Sequence, residues 1–449
     1  MRAVPSTSRR LLLSVALILT SAAPVPVIAQ QTRASGEMIE RGHKILQQVR
    51  EDLEEYYFDS TYAGVDMEAA YRRARVQLDS ARDNNHLFAI IAQYLFELRD
   101  SHTKFWPPDR AADIQYGFGL QFVGDTCFVT NVTKGSDAEA QGLERGDALL
   151  RLDRFKVERS TWSTLQYLYY RLSPRAALKL FVKSPDAEPR EITVKAKITK
   201  RPRIIDYNDP TTIARLIDEL DTYDRTPQHY YVSLGDSVII WRMPSFSVPR
   251  TGVREMMDVA RKHRAVVLDL RNNGGGLLRT QMSLAGHFFD RRVWAGLQRH
   301  RDKTDSMFVE PSNPKDAYRG MLIVLVNSNS ASASEITARL MQLEGRAIIV
   351  GDRTAGAVVA SYFLGHEVGF GRVMDYSVQV SVSDIIMSDG NRLEGIGVVP
   401  DHVVLPTAAD IAARRDPQLA FALKLAGHLT TPEEAGRLFK SDRDAAKRD

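Results

Sequence analysis

Met321-Leu322-Ile323-Val324-Leu325-Val326, running into Asn327-Ser328-Asn329-Ser330-Ala331-Ser332-Ala333-Ser334-Glu335, decides how this chain is read. The unbroken apolar run predicts a buried strand, and the residues after the loop carry a helical pattern. Ser332 can serve as N-cap of that helix, with Glu335 three residues later completing a capping box. Its hydroxyl then lies where the first helix amides point outward, a setting that favours developing negative charge. Ser332 is therefore a candidate nucleophile. Taken alone, Ser-x-x-Glu before an apolar run is also an ordinary helix cap, so the rest of the chain has to choose.

Upstream, residues 265–270 read as another buried strand, which runs into Arg271-Asn272-Asn273-Gly274-Gly275-Gly276. Consecutive glycines at a strand end leave backbone amides unobstructed, which suits an oxyanion hole as well as a flexible turn. Strands and helices alternate around this point. Residues 230–234 and 237–241 flank Gly235-Asp236 as a hairpin, residues 253–262 and 333–343 read as helices, residues 347–350 as a strand, and hairpin strands continue to Val404. The alternation predicts an α/β core over residues 201–429.

Residues 35–110 read as a helical unit, with Ile45, Val49, Leu53 and Tyr56 at three- and four-residue spacing and Ala89, Ile90, Tyr94 and Leu95 after them. It ends at Asp100-Ser101-His102-Thr103, and Pro107-Pro108 forbids further helix. Residues 111–200 change to short strands and turns, which predicts a separate β-rich domain. Within it, Tyr116-Gly117-Phe118-Gly119-Leu120 and Gly142-Leu143-Glu144-Arg145-Gly146-Asp147-Ala148-Leu149-Leu150-Arg151-Leu152 together resemble a PDZ domain of the bacterial protease type. That resemblance implies a loop at Gly117, Phe118, Gly119 and Leu120 whose amides take a peptide carboxylate beside a strand edge open to an extended peptide.

Asp269-Leu270-Arg271-Asn272-Asn273-Gly274-Gly275-Gly276, followed by the Ser330-to-Glu335 stretch, makes the chain resemble the S41 family of serine peptidases. The family contains C-terminal processing proteases and tricorn-type proteases, and the resemblance runs from the helical unit to Pro400-Asp401. It implies a multidomain α+β protein: a helical N-terminal unit, a PDZ-like domain and an α/β peptidase core of the crotonase/ClpP type. One branch uses a lysine base in Gly-x-x-Thr-x-Gly-Lys. Here that stretch is Gly351-Asp352-Arg353-Thr354-Ala355-Gly356-Ala357, and no lysine occurs between Lys315 and Lys424.

The tricorn branch uses a serine–histidine pair and a later glutamate, which Ser101-His102 and Glu394 match. The carry-over makes Ser332 the nucleophile, His102 the general base, Ser101 the group that orients the imidazole, and Glu394 the acceptor that holds Ser101. Serine is a weak nucleophile until a neighbour removes its proton, histidine titrates near neutrality, and a fixed tautomer needs a partner on the other ring nitrogen. An unperturbed histidine predicts an apparent pKa of roughly 6 to 8 for activity. The amides of Ala333 and of Gly274 or Gly275 would stabilise the oxyanion.

Arg2, Arg9 and Arg10, the apolar segment 11–19 and small residues up to Ala29 have the layout of a secretory signal peptide over residues 1–29. The chain is thus expected to be exported, periplasmic or secreted, with no stable membrane span after cleavage. Cys127 is the only cysteine, so no internal disulfide can form, and its apolar neighbours make it buried filler. The formal charge of +4 falls to about +1 without those three arginines, which argues against nucleic acid as a partner. Residues 430–449 are highly charged and expected to be a solvated or surface-helical tail. No cofactor or metal is expected; peptides or proteins are the expected substrates. Two other readings use the same residues, a catalytically silent peptide-binding protein and a serine hydrolase of non-peptide esters.

Overall fold

The computed structural model describes residues 36–110, 112–200, 230–248, 250–369 and 373–439. The expected signal peptide, the start of the expected core and the last ten residues lie outside these. The described chain is a mixed α/β, multidomain protein with four sheets.

A six-stranded sheet runs Tyr230–Leu234, Val238–Arg242, Ala265–Asp269, Met321–Val326, Ile348–Gly351 and His402–Val403 in space. The first pair is antiparallel and every later pair is parallel. Ala265–Asp269 is buried at every position, as a central parallel strand covered on both faces should be. Strand alternation sends Val266 and Leu268 into one core and Ala265 and Val267 into another on the opposite face. Register sets Asp269 beside Leu325 and Val326 beside Gly351. The loops 270–277, 327–332 and 352–358 therefore leave neighbouring strands at one level, at the carboxyl ends where open α/β sheets build their sites.

A second sheet, antiparallel throughout, brings the helical unit to that place. Helices Gly36–Tyr56, Met67–Leu78 and Asn84–Phe96 pack their apolar faces around Ile45, Leu46, Leu87 and Ile91. Strand Lys104–Trp106 then pairs with the long strand Met374–Met387, with Lys104 opposite Gln379. Phe105 is buried against Phe88 and Tyr376, with ring centroids 5.6 and 5.7 Å away. Ser101-His102 is thereby stapled to the core.

Between these parts, Ala112–Gln115 pairs with Lys197–Lys200 and closes the entry and exit of the β-rich module. Its main sheet runs Phe118–Val123, Thr126–Val132, Ala148–Leu152, Ala177–Lys183 and Arg190–Lys195, so Phe118–Val123 is an edge strand. Cys127 is buried in the module's core, and burial pushes its thiol up to about 12. The module sits on the α/β core through Arg159, which pairs with Asp352 at 3.2 Å, and through the Gly124 amide, which donates to Asp352 at 3.0 Å.

As far as it is described, the chain after Thr430 is exposed or half-buried apart from Ala435 and carries one short helix with a few apolar anchors. Helix Pro432–Ala435 buries Ala435, Leu438 and Phe439 pack on the core, and Arg242 lies 4.0 Å above the Phe439 ring.

Candidate active site

Ser332 caps helix Ala333–Leu343 with φ 55°, a left-handed conformation rare for a non-glycine residue. Such strain persists only where the surroundings over-determine it. Here the Ser332 amide donates to Ala357 O at 2.9 Å and to Glu335 Oε2 at 3.1 Å. Glu335 does more than close a capping box. Fully buried, it also accepts from Thr354 Oγ1 at 2.5 Å, Gly356 N at 2.7 Å and Ala357 N at 2.9 Å. Burial lifts its carboxyl to about 6 against the pull of these donors. One carboxylate thus fixes the serine turn to the segment 354–357.

The glycine loop packs directly on this turn. Gly275 has φ 102°, and a Cβ there would sit 2.7 Å from Ser332 Cβ and 3.1 Å from Ala333 N, so only glycine fits. Ala333 is the first helical residue, and its N–H has no intrahelical acceptor. Of the two glycine amides expected as alternatives for the second oxyanion donor, Gly274 and Gly275, that of Gly275 is engaged within its own loop. It donates to Asn273 Oδ1 at 2.8 Å, because the Asn273 side chain folds back over its own loop while its Nδ2 donates to Met243 O. Gly274 has no such engagement among the described residues, which leaves Gly274 and Ala333 as the free amides. The loop's base is rigid: Arg271 forms a double contact with Asp416, both 2.8 Å, and binds Asp269 at 2.8 Å.

Ser101, His102 and Glu394 come together from positions 293 residues apart. The Ser101 hydroxyl lies 2.6 Å from His102 Nδ1 and donates to Glu394 Oε2 at 3.1 Å, while the Ser101 amide donates to Glu394 Oε1 at 2.9 Å. With its proton directed at Glu394, the Ser101 oxygen accepts from Nδ1–H, which leaves Nε2 bare. Glu394 Oε2 also accepts from Val358 N at 2.6 Å. Ala357 C=O and Val358 N–H belong to one peptide unit, so a single plane holds the Ser332 amide on one side and Glu394 on the other. Asp100, which the sequence marked only as part of the helix end, supports the turn by accepting from His102 N at 2.9 Å, Thr103 N at 2.6 Å and Ser381 Oγ at 3.0 Å.

Among the described residues no hydrogen bond joins Ser332 to His102; such nucleophile–base contacts are often long until substrate binds. Burial lowers the His102 imidazole to about 4, the Lys104 ammonium adds to the lowering, and Asp100 opposes it. This revises the neutral titration expected from the sequence. In the base role expected of it, which requires the unprotonated ring, the lowered pKa would keep His102 competent further into acid. The acid limb of kcat/KM is expected near pH 4 to 5, and a pH–rate profile whose limb falls at pH 6 to 7 would contradict this environment. Stability follows the same sign: the contribution from neutral His102 is full above pH 6.5 and is lost as pH falls through about 4.

In the β-rich module, Gly117 has φ 76°, and Phe118–Val123 begins the edge strand. Val123 and Thr126 flank a two-residue turn, so the main-chain groups of Phe122 and Leu120 face away from the partner strand. Ser328 Oγ donates to Phe122 O at 2.5 Å, which brings the loop before Ser332 against that same edge.

Residues 238–404 match the profile of Peptidase family S41. The chain is 28% identical over 339 residues to a carboxyl-terminal-processing protease of Picosynechococcus sp., covering 72% of this chain and 74% of that one. It is 24% identical over 273 residues to a tail-specific protease of Haemophilus influenzae, covering 57% and 36%. In fold it is similar to mature CPAF, with TM-score 0.61 at 17% identity over 83% of this chain and 94% of that one. It is also similar to the photosystem II D1 C-terminal processing protease, with TM-score 0.50 at 18% identity over 81% and 93%.

Proposed function

The chain belongs to the S41 peptidase family and is a serine-type peptidase, and from that premise we propose that it works through Ser332, His102, Ser101 and Glu394 in the tricorn manner rather than through a serine–lysine pair. The observation that carries this reading is the shared Ala357–Val358 peptide, which ties the Ser332 turn to the Glu394–Ser101–His102 relay. Ala357 stands where the other branch has its lysine, and it contributes main-chain contacts alone. In the proposed reaction Ser332 Oγ attacks the peptide carbonyl as His102 Nε2 takes its proton. The amides of Ala333 and of Gly274 or Gly275 hold the oxyanion, and the imidazolium returns the proton to the departing amine. Water then enters by the reverse sequence and releases Ser332 from its acyl ester.

A serine-reactive phosphonate tests this reading. Labelling of the wild type at Ser332, together with peptide cleavage, is the expected result; absence of the adduct in a folded protein overturns it. Peptide and ester libraries tested side by side separate a peptidase from an esterase.

We further propose that residues 111–200 are a PDZ-like domain that holds a substrate C-terminus at Gly117, Phe118, Gly119 and Leu120, and that the core is of the crotonase/ClpP type. The open edge of Phe118–Val123 supports added-strand binding. Ser328 at the far end of that edge supports presentation of the bound chain toward Ser332. A free-acid peptide is expected to bind at least about tenfold more tightly than its C-terminal amide, since a charged hydrogen-bonding group is lost. Equal affinity by calorimetry would rule out carboxylate capture. Export remains part of the proposal on the strength of the N-terminal pattern; no described helix is long and apolar enough to cross a membrane.

A further inference from the structure

Lys104 follows His102 by two residues, on the strand that staples the pair to the core. Phe105 is buried on the helical side, so alternation puts Lys104 and Trp106 together on the other face, both partly exposed. The polar groups around it are already matched to one another. Trp106 Nε1 donates to Gln379 Oε1 at 3.2 Å, and Gln379 Nε2 donates to Ser361 Oγ at 2.8 Å. Glu394 serves three donors, and Asp100 serves the backbone and hydroxyls of its own turn and Ser381. Lys104 itself makes no hydrogen bond or ion pair among the described residues. Its charge nevertheless reaches His102, and burial lowers its own pKa against the pull of Asp100 and Glu394.

The ammonium is partly desolvated near the base, and the two carboxylates whose charge it feels, Asp100 and Glu394, spend their oxygens on other donors and form no ion pair with it among the described residues. We propose that Lys104 is a specificity-determining residue that binds a carboxylate of the substrate within about two residues of the scissile bond. The spacing follows from chain reach: Lys104 lies two residues along the backbone from His102, and two residues of chain span at most about 7 Å. At the end of the sheet beyond Trp106 lies a cavity of about 990 Å³, lined by Trp106 and Phe363 from this face and by His366 and Tyr376 from the helical face. The carboxylate is either an Asp or Glu side chain or the terminal carboxylate of a short leaving segment. Both present the same chemistry to Lys104. The inference rests on the Ser332–His102 reading of the site.

Two matched peptide sets test it on the full chain. In one, both ends are blocked and Asp or Glu alternates with Asn or Gln near the scissile bond; in the other, a neutral peptide ends as free acid or amide within two residues of it. We expect kcat/KM to favour the carboxylate by about ten- to a hundredfold in one set, the range of a charge-assisted hydrogen bond. Lys104→Met should bring that ratio close to one, Lys104→Glu should invert it toward basic peptides, and Lys104→Arg should retain it. Phosphonate labelling of each variant reports an intact nucleophile independently of the peptide. A wild type without preference in either set, or a preference that survives Lys104→Met and Lys104→Glu, overturns the assignment of Lys104 while the labelling stands. Loss of labelling in the wild type overturns the nucleophile and this inference with it.

Discussion

Ser332→Ala is expected to lower kcat on the order of 10⁵- to 10⁶-fold, because removing the nucleophile leaves only binding and oxyanion stabilisation to act on bulk water. Folding should survive. Alanine tolerates φ 55° no worse than serine does, and the amide contacts that hold the turn, to Ala357 O and Glu335 Oε2, involve the main chain of residue 332. Loss of an N-cap hydroxyl costs about 1 kcal/mol, small against the stability of a domain. Ser328, Ser330 and Ser334 are poor alternatives. Ser330 Oγ donates to Leu270 O at 2.8 Å, Ser334 Oγ to Asn273 O at 2.9 Å, and Ser328 Oγ to Phe122 O, so each is engaged in structure. Burst kinetics with an activated ester, run beside a thermal melt, separate loss of chemistry from loss of fold. A folded Ser332→Ala protein that still turns over would end the assignment.

The strand–loop–helix at Met321 to Leu343 was legible because apolar run, cap and helical period agree over a short window. Ser101, His102 and Glu394 were legible as motif matches, and the structure brings them together. What escaped was main-chain partnership at long range. Glu335 has the same signature in sequence whether it closes a cap or gathers Thr354, Gly356 and Ala357 as well. Glycines at 274–276 advertise free amides, yet Asn273, in the same stretch, takes one of them. The imidazole's lowered pKa depends on burial between a helical unit and a core that meet only in three dimensions. Lys104 is likewise one charged residue among sixty lysines and arginines until strand pairing sets it opposite Gln379, where it makes no hydrogen bond or ion pair among the described residues.

Glu394→Gln is expected to lower kcat by about a hundredfold or more, bounded near ten-thousandfold by the loss seen when the acid of a triad becomes its amide. Three donors converge on two oxygens here, Ser101 N on Oε1 and both Ser101 Oγ and Val358 N on Oε2. Glutamine offers one oxygen and one NH₂, so in either orientation at least one N–H meets another donor. If the amide oxygen keeps Val358 and the hydroxyl, the Ser101 amide is stranded and the turn loosens. If it keeps the Ser101 amide, the NH₂ donates to Ser101 Oγ. The hydroxyl proton then turns toward His102 Nδ1, and Nε2 carries the imidazole proton. That tautomer cannot accept from Ser332. Because the contact matters most as the imidazolium forms, KM should change much less than kcat. Single-turnover acylation decides the matter: a wild-type rate in Glu394→Gln would make Glu394 a structural acceptor for Val358 and would leave His102 oriented by other means.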